Sequence, residues 1–137
     1  MPRTARILNL APETTEAQSP PDPDKKKVGK FVIIQSDDVL QLVHGPIDDY
    51  SYHADLVKKF CDLNSIPSGW LKKPDLYEIY GNSHHIKGGG WVEEKTGEKR
   101  LSFFGYSTAY GRFETEDMVY LLEQAPELAD YEITIED

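Results

Sequence analysis

Hydrophobic positions along the chain fall into short runs, each fenced by turn residues. Phe31, Val32, Ile33 and Ile34 form an unbroken β-branched and aromatic run that reads as a buried strand. Ser36, Asp37 and Asp38 then make a turn, and Val39 to Val43 form a second strand ended by Gly45 and Pro46, so the two predict a hairpin. A change of period follows. Val57, Phe60 and Cys61, flanked by Leu56 and Leu63, lie at helical spacing and predict a helix that follows Tyr50 to Asp55 and runs to about Asn64. The stretch from Ser65 to Gly81 is broken by Pro67, Gly69 and Pro74, and only Leu76, Tyr77, Ile79 and Tyr80 suggest a short strand there. From His85 to Val92 the chain reads as a strand kinked at Gly88, Gly89 and Gly90, turning at Thr96 and Gly97 and returning through Leu101 to Phe104. Met118, Leu121 and Leu122 mark a second helix beginning at Glu114 or Thr115 and closed by Pro126. Tyr131, Ile133 and Ile135 alternate with polar residues and predict a last, half-exposed strand. Strand pairs with two helices and no βαβ rhythm imply an α+β fold.

Residues 1–28 lack any sustained apolar period, and Pro20, Pro21 and Pro23 block regular structure; this stretch is expected to be a flexible polar tail before a single domain over residues 29–137. Lys25, Lys26 and Lys27 read as a solvated linker. A chain of 137 residues is long enough to bury a core. One cysteine, and no apolar leader core after the start, make a cytoplasmic compartment the expectation. A monomer is expected. No apolar run reaches membrane-spanning length. The net charge of −9 disfavours a nucleic-acid surface, so any phosphorylated ligand must be held by local groups.

The stretch that offers such groups is Phe103-Phe104-Gly105-Tyr106-Ser107-Thr108-Ala109-Tyr110-Gly111. A strand ends there in small residues bounded by glycines, so main-chain N–H groups can approach an anion, with the Ser107 and Thr108 hydroxyls as further donors. His53 is placed near the start of the first helix, where unpaired N–H groups also favour an anion. Cysteine- and aspartate-based phosphoryl chemistries fit poorly. Six residues beyond Cys61 stands Pro67 where a cysteine phosphatase needs arginine, and Asp22 and Asp24 lie in the proline-rich tail rather than at a strand end. His44 reads as a strand-end histidine, and His84 and His85 as a poor metal pair, because neighbours on a strand face opposite ways.

Tyr52-His53-Ala54-Asp55, then Gly88-Gly89-Gly90, then Gly105 to Gly111, in that order, resemble the protein phosphohistidine phosphatase family, which includes the Janus and Ocnus proteins. The resemblance runs from about Gly29 to the C-terminus and includes Asp130-Tyr131-Glu132-Ile133-Thr134, with residues 65–86 longer than in the family. It implies a mixed, largely antiparallel sheet flanked by two helices and removal of phosphate from phosphohistidine, with no metal and no cofactor. The implied catalytic residue is His53, the implied phosphate-proximal lysine is Lys30, and the implied phosphate loop is Ser107, Thr108 and Ala109. The implied partners are phosphohistidine proteins or peptides, with inorganic phosphate as product. Where vertebrate-type members carry arginine after the triple glycine, this chain has Trp91, leaving Lys87 or Arg112 as candidate replacements.

The chemistry accords with these residue types. A P–N bond is weak once its nitrogen is protonated, so hydrolysis needs donors for the phosphoryl oxygens and one group that moves protons near neutral pH. Lys30, the loop N–H groups and the helix start at Ala54 supply the donors; His53 supplies the rest, as general base or as transient nucleophile. The alternative is a catalytically weak Janus-like protein that binds phosphorylated partners.

Overall fold

The computed structural model describes residues 4–10, 26–37, 39–95 and 98–136. Its elements are β1 (Thr4–Asn9), β2 (Lys26–Ser36), β3 (Val39–Pro46), α1 (His53–Asn64), β4 (Ser68–Lys72), β5 (Leu76–Ile79), β6 (His85–Lys95), β7 (Arg100–Phe104), α2 (Thr115–Glu123) and β8 (Glu132–Ile135). Six strands form one sheet in the order β1-β3-β2-β6-β7-β8, while β4 and β5 pair separately. The central pairs are antiparallel and the two edge pairs, β1 with β3 and β7 with β8, are parallel. This is the α+β architecture that the hydrophobic pattern predicts.

The continuous apolar run on β2 has its explanation in the layering. Phe31 and Ile33 point into one core with Leu40, Leu101, Phe103, Phe113, Met118 and Leu121, under α2. Val32 and Ile34 point into the other with Val43, Leu56, Val57, Phe60 and Cys61, under α1. A strand covered on both faces has no polar alternation to show. Among the described residues no helix is long and apolar enough to cross a membrane.

Two features differ from expectation. The flexible tail expected over residues 1–28 does not hold for Thr4–Asn9, which pairs in parallel with β3 from Thr4 opposite Val39 to Asn9 opposite His44. Leu8 and Leu10 pack into the α1-side core and Ile7 into the α2-side core, so three apolar residues, too few to register as a period, anchor an edge strand. Residues 26–28 likewise belong to β2, and the rest of that tail lies outside the described residues. Secondly, β7, α2 and β8 form a parallel crossover, a βαβ unit in a chain that showed no such rhythm. Its closing strand is only four residues long.

The stretch that resisted placement, residues 65–81, is a hairpin laid beside α1. The α1 C-terminus is closed by Ser65 in the left-handed region at φ 55°, with the Ile66 N–H donating to the Cys61 carbonyl at 3.0 Å. Tyr77 is buried on this hairpin, edge-on to Trp70 at 5.1 Å between ring centroids, and its hydroxyl lies 2.9 Å from Ser68 Oγ.

Candidate active site

Lys30 shares the α1-side face of β2 with Val32, and the antiparallel register sets it directly opposite Trp91 on β6. Its ammonium lies 4.8 Å from the Trp91 ring centroid and 5.8 Å from that of Tyr52, and it donates to the Ser51 carbonyl. Partial burial lowers the Lys30 pKa, opposed by the nearby Asp55 carboxylate. The cation is thus seated on an indole and aimed at the loop that leads into α1.

His53 opens α1. The Tyr52 N–H donates to Asp55 Oδ2 at 3.0 Å, which fixes the first turn, and the imidazole turns inward to only 8% exposure. Its Nε2 lies 2.8 Å from the Gly90 carbonyl oxygen. A carbonyl only accepts, so Nε2 carries the proton and Nδ1 is left with its lone pair and, among the described residues, no protein partner. Gly89 makes room for the ring: a Cβ there would lie 3.0 Å from His53 Cδ2 and 2.4 Å from the Phe31 carbonyl oxygen. The strand is bulged at this point, between Val32 and Ile34 of its β2 partner. Burial lowers the His53 pKa; the Gly90 hydrogen bond opposes this and the charge of Lys30 adds to it. The neutral imidazole is therefore the resting form at neutral pH.

The loop after β7 is stitched to the same strand. Ser107 N–H donates to the Gly111 carbonyl at 3.1 Å, Gly111 N–H returns to the Ser107 carbonyl at 2.8 Å, and Gly89 N–H also donates to the Gly111 carbonyl, at 3.0 Å. Tyr110 N–H donates to Ser107 Oγ at 3.0 Å, which accounts for the burial of Ser107. The main-chain donors of Thr108 and Ala109 have no acceptor among the described residues. The expected donor set is thereby narrowed, because the Ser107 N–H is committed within the turn. Tyr110 also ties the loop to the β4–β5 hairpin: its hydroxyl donates to the Tyr77 carbonyl at 2.5 Å and accepts from the Tyr77 N–H at 3.0 Å. Burial is the main cause pushing its pKa up to about 12.

These elements enclose a cleft of about 310 Å³ lined by Lys30, Ser51, Tyr52, His53, Asp75, Trp91, Tyr106, Ser107, Thr108 and Ala109. Of the residues expected at the site, Lys30, His53, Ser107, Thr108 and Ala109 meet here. Ala54 does not line the cleft, its side chain being fully buried in the α1-side core. Neither candidate for the missing arginine reaches it. Lys87 pairs with Asp117 at 3.0 Å, and the Arg112 guanidinium lies over Phe113 and donates to the Glu136 carbonyl at 2.7 Å. Trp91 instead forms a wall and the seat for Lys30. Tyr106 lies within the stretch the sequence marks, without being assigned a role there; Asp75 has no local signal, because it lies on the hairpin broken by prolines and glycine.

A larger hollow of about 430 Å³ lies on the opposite face of the sheet, lined by apolar residues such as Leu42, Val92 and Phe103, and it contains none of these groups. Among the described residues no three His, Cys, Asp or Glu side chains gather as metal ligands. His84 hydrogen-bonds Ser83 and packs edge-on to Phe60 at 5.9 Å.

The fold is α+β, with a small cleft at a helix start. The sequence model of the Janus/Ocnus family (Ocnus) matches residues 28–132, and the chain belongs to that family. No curated protein matches it significantly.

Proposed function

We propose that this protein hydrolyses phosphoramidates, phosphohistidine first and phospholysine second, in proteins or peptides. The observation that carries the reading is the meeting of a neutral, Nε2-anchored His53, the Lys30 ammonium and two unsatisfied loop N–H groups in one cleft. Lys30 and the N–H groups of Thr108 and Ala109 hold the phosphoryl oxygens. His53 acts through Nδ1. As a base it takes a proton from water while the water oxygen bonds to phosphorus; the P–N bond breaks with its electron pair going to the protonated nitrogen, which departs as neutral amine or imidazole. As a nucleophile Nδ1 bonds phosphorus while the substrate P–N bond breaks and the neutral amine or imidazole departs; in a second step water bonds phosphorus, the Nδ1–P bond breaks back to the ring, and phosphate is released. In both, the Nε2–H bond to Gly90 steadies the ring as positive charge develops on it.

The test is phosphate release from a phosphohistidine peptide by the wild type and by His53→Ala. Release by the first and its loss in the second support the reading. Equal binding of the peptide by both, with no turnover by either, supports instead a binding protein for phosphorylated partners, a reading favoured by Trp91 in place of a cation.

The active imidazole is neutral and its pKa is lowered, so kcat/KM is expected to rise with pH along a limb centred below 6.5 and to be level by neutral pH. A limb centred above that value, or activity falling with pH through this range, contradicts the assignment. Lys30→Met removes the cation that, among the described residues, lines the cleft, and a charge-assisted contact of this kind is worth roughly 10- to 100-fold in affinity. The expected result is a rise of that order in KM and in the inhibition constant of inorganic phosphate; unchanged phosphate inhibition would contradict it.

A further inference from the structure

Among the described residues, Asp75 is the one acidic residue lining the cleft. It stands at the turn between β4 and β5 and is only partly exposed. Its position is held firmly. The hairpin packs into the α1-side core through Tyr77 and Trp70, is braced internally by the Ser68–Tyr77 hydroxyl contact, and is tied to the phosphate loop through the two-way hydrogen bonds between Tyr110 and Tyr77. Among the described residues no lysine, arginine or histidine pairs with the Asp75 carboxylate. It is a fixed negative charge facing a space otherwise equipped for a phosphoryl group.

For a bare phosphate this arrangement is a handicap. The charge of Lys30 is offset by that of Asp75, His53 is neutral, and the protein as a whole carries a net charge of −9. A carboxylate in such a place is favourable only when the ligand brings its own cation. A phosphorylated amine does so: its nitrogen stays basic and is protonated at neutral pH, and the ring of phosphohistidine carries a second nitrogen that can take a proton. Phosphate monoesters and inorganic phosphate have no such group. At about 310 Å³ the cleft accommodates a phosphoryl group and the head of the side chain bearing it, so the cation that meets Asp75 is on the phosphorylated side chain itself.

We infer that Asp75 is a specificity-determining residue, which accepts a hydrogen bond from the protonated nitrogen side of a phosphoramidate and so selects phosphorylated amines over phosphate monoesters and free phosphate. The inference rests on the phosphoramidate reading above. Attraction is then divided between Lys30 on the phosphoryl end and Asp75 on the nitrogen end of one cleft.

The experiment measures binding of two probes, inorganic phosphate and a peptide carrying phospholysine, by calorimetry in a His53→Asn background, where neither probe turns over, with and without Asp75→Asn. Loss of a charge-assisted contact predicts that Asp75→Asn weakens the peptide about tenfold or more, while phosphate binds as before or more tightly. The ratio of the two affinities therefore falls by at least that factor. An unchanged ratio, equal weakening of both probes, or failure of both to bind overturns the inference. Failure of the wild type to release phosphate from the same peptide is a separate result: it ends the catalytic reading while the affinity ratio still reports on Asp75.

Discussion

Replacing His53 with alanine is expected to lower the rate of phosphate release from a phosphohistidine peptide by about 10²- to 10⁴-fold, the range that a positioned acid–base group contributes. Lys30, Thr108 and Ala109 remain in place in the variant, so binding of inorganic phosphate should change far less than turnover. The distinction matters because His53 is also buried and hydrogen-bonded to Gly90, and its removal has a structural cost. Circular dichroism and phosphate titration separate the two effects. A variant that binds phosphate normally and turns over within threefold of wild type would show that the imidazole is a structural group at the helix start.

The largest effect on stability is expected at the residue beside Lys30. Phe31 is fully buried, edge-on to Phe103 at 5.6 Å and to Phe113 at 5.0 Å between ring centroids. Its truncation to alanine empties the centre of the α2-side core and should cost about 3–5 kcal/mol in urea unfolding. The consequence reaches the cleft. A Cβ on Gly90 would lie 3.1 Å from the Phe31 ring, so this ring packs against the strand whose carbonyl fixes His53. Turnover per folded molecule should therefore fall as well. A loss of stability below about 1 kcal/mol would contradict the packing described for this core.

What the chain reveals unaided depends on how local the physics is. The first helix and the start that presents His53 were legible because apolar spacing, breakers and a first-turn aspartate are contiguous. The loop at Ser107 was legible for the same reason, small residues between two glycines. The partnership of Lys30 with Trp91 was not, because it exists only through the β2–β6 register, sixty-one positions apart in the chain by subtraction of their numbers. Searching the sequence for a cation to replace arginine pointed to Lys87 and Arg112, yet each has a partner elsewhere: the Asp117 carboxylate for one, main-chain carbonyls for the other. Thr4–Asn9 was hidden because an edge strand draws its stability from pairing with β3 rather than from a pattern of its own. Asp75 was hidden because its place depends on where a hairpin docks, which Tyr110 and Tyr77 decide through tertiary hydrogen bonds.

If strand β2, the start of α1 and the loop after β7 form a single seat for a phosphoryl group, titration of the isotopically labelled protein with inorganic phosphate, followed through amide and imidazole resonances, should reveal it. Saturable shifts are expected at Thr108, Ala109 and the His53 ring, reduced by Lys30→Met. Shifts centred on the hollow across the sheet, around His44 and Val92, with the His53 ring unmoved, would contradict it.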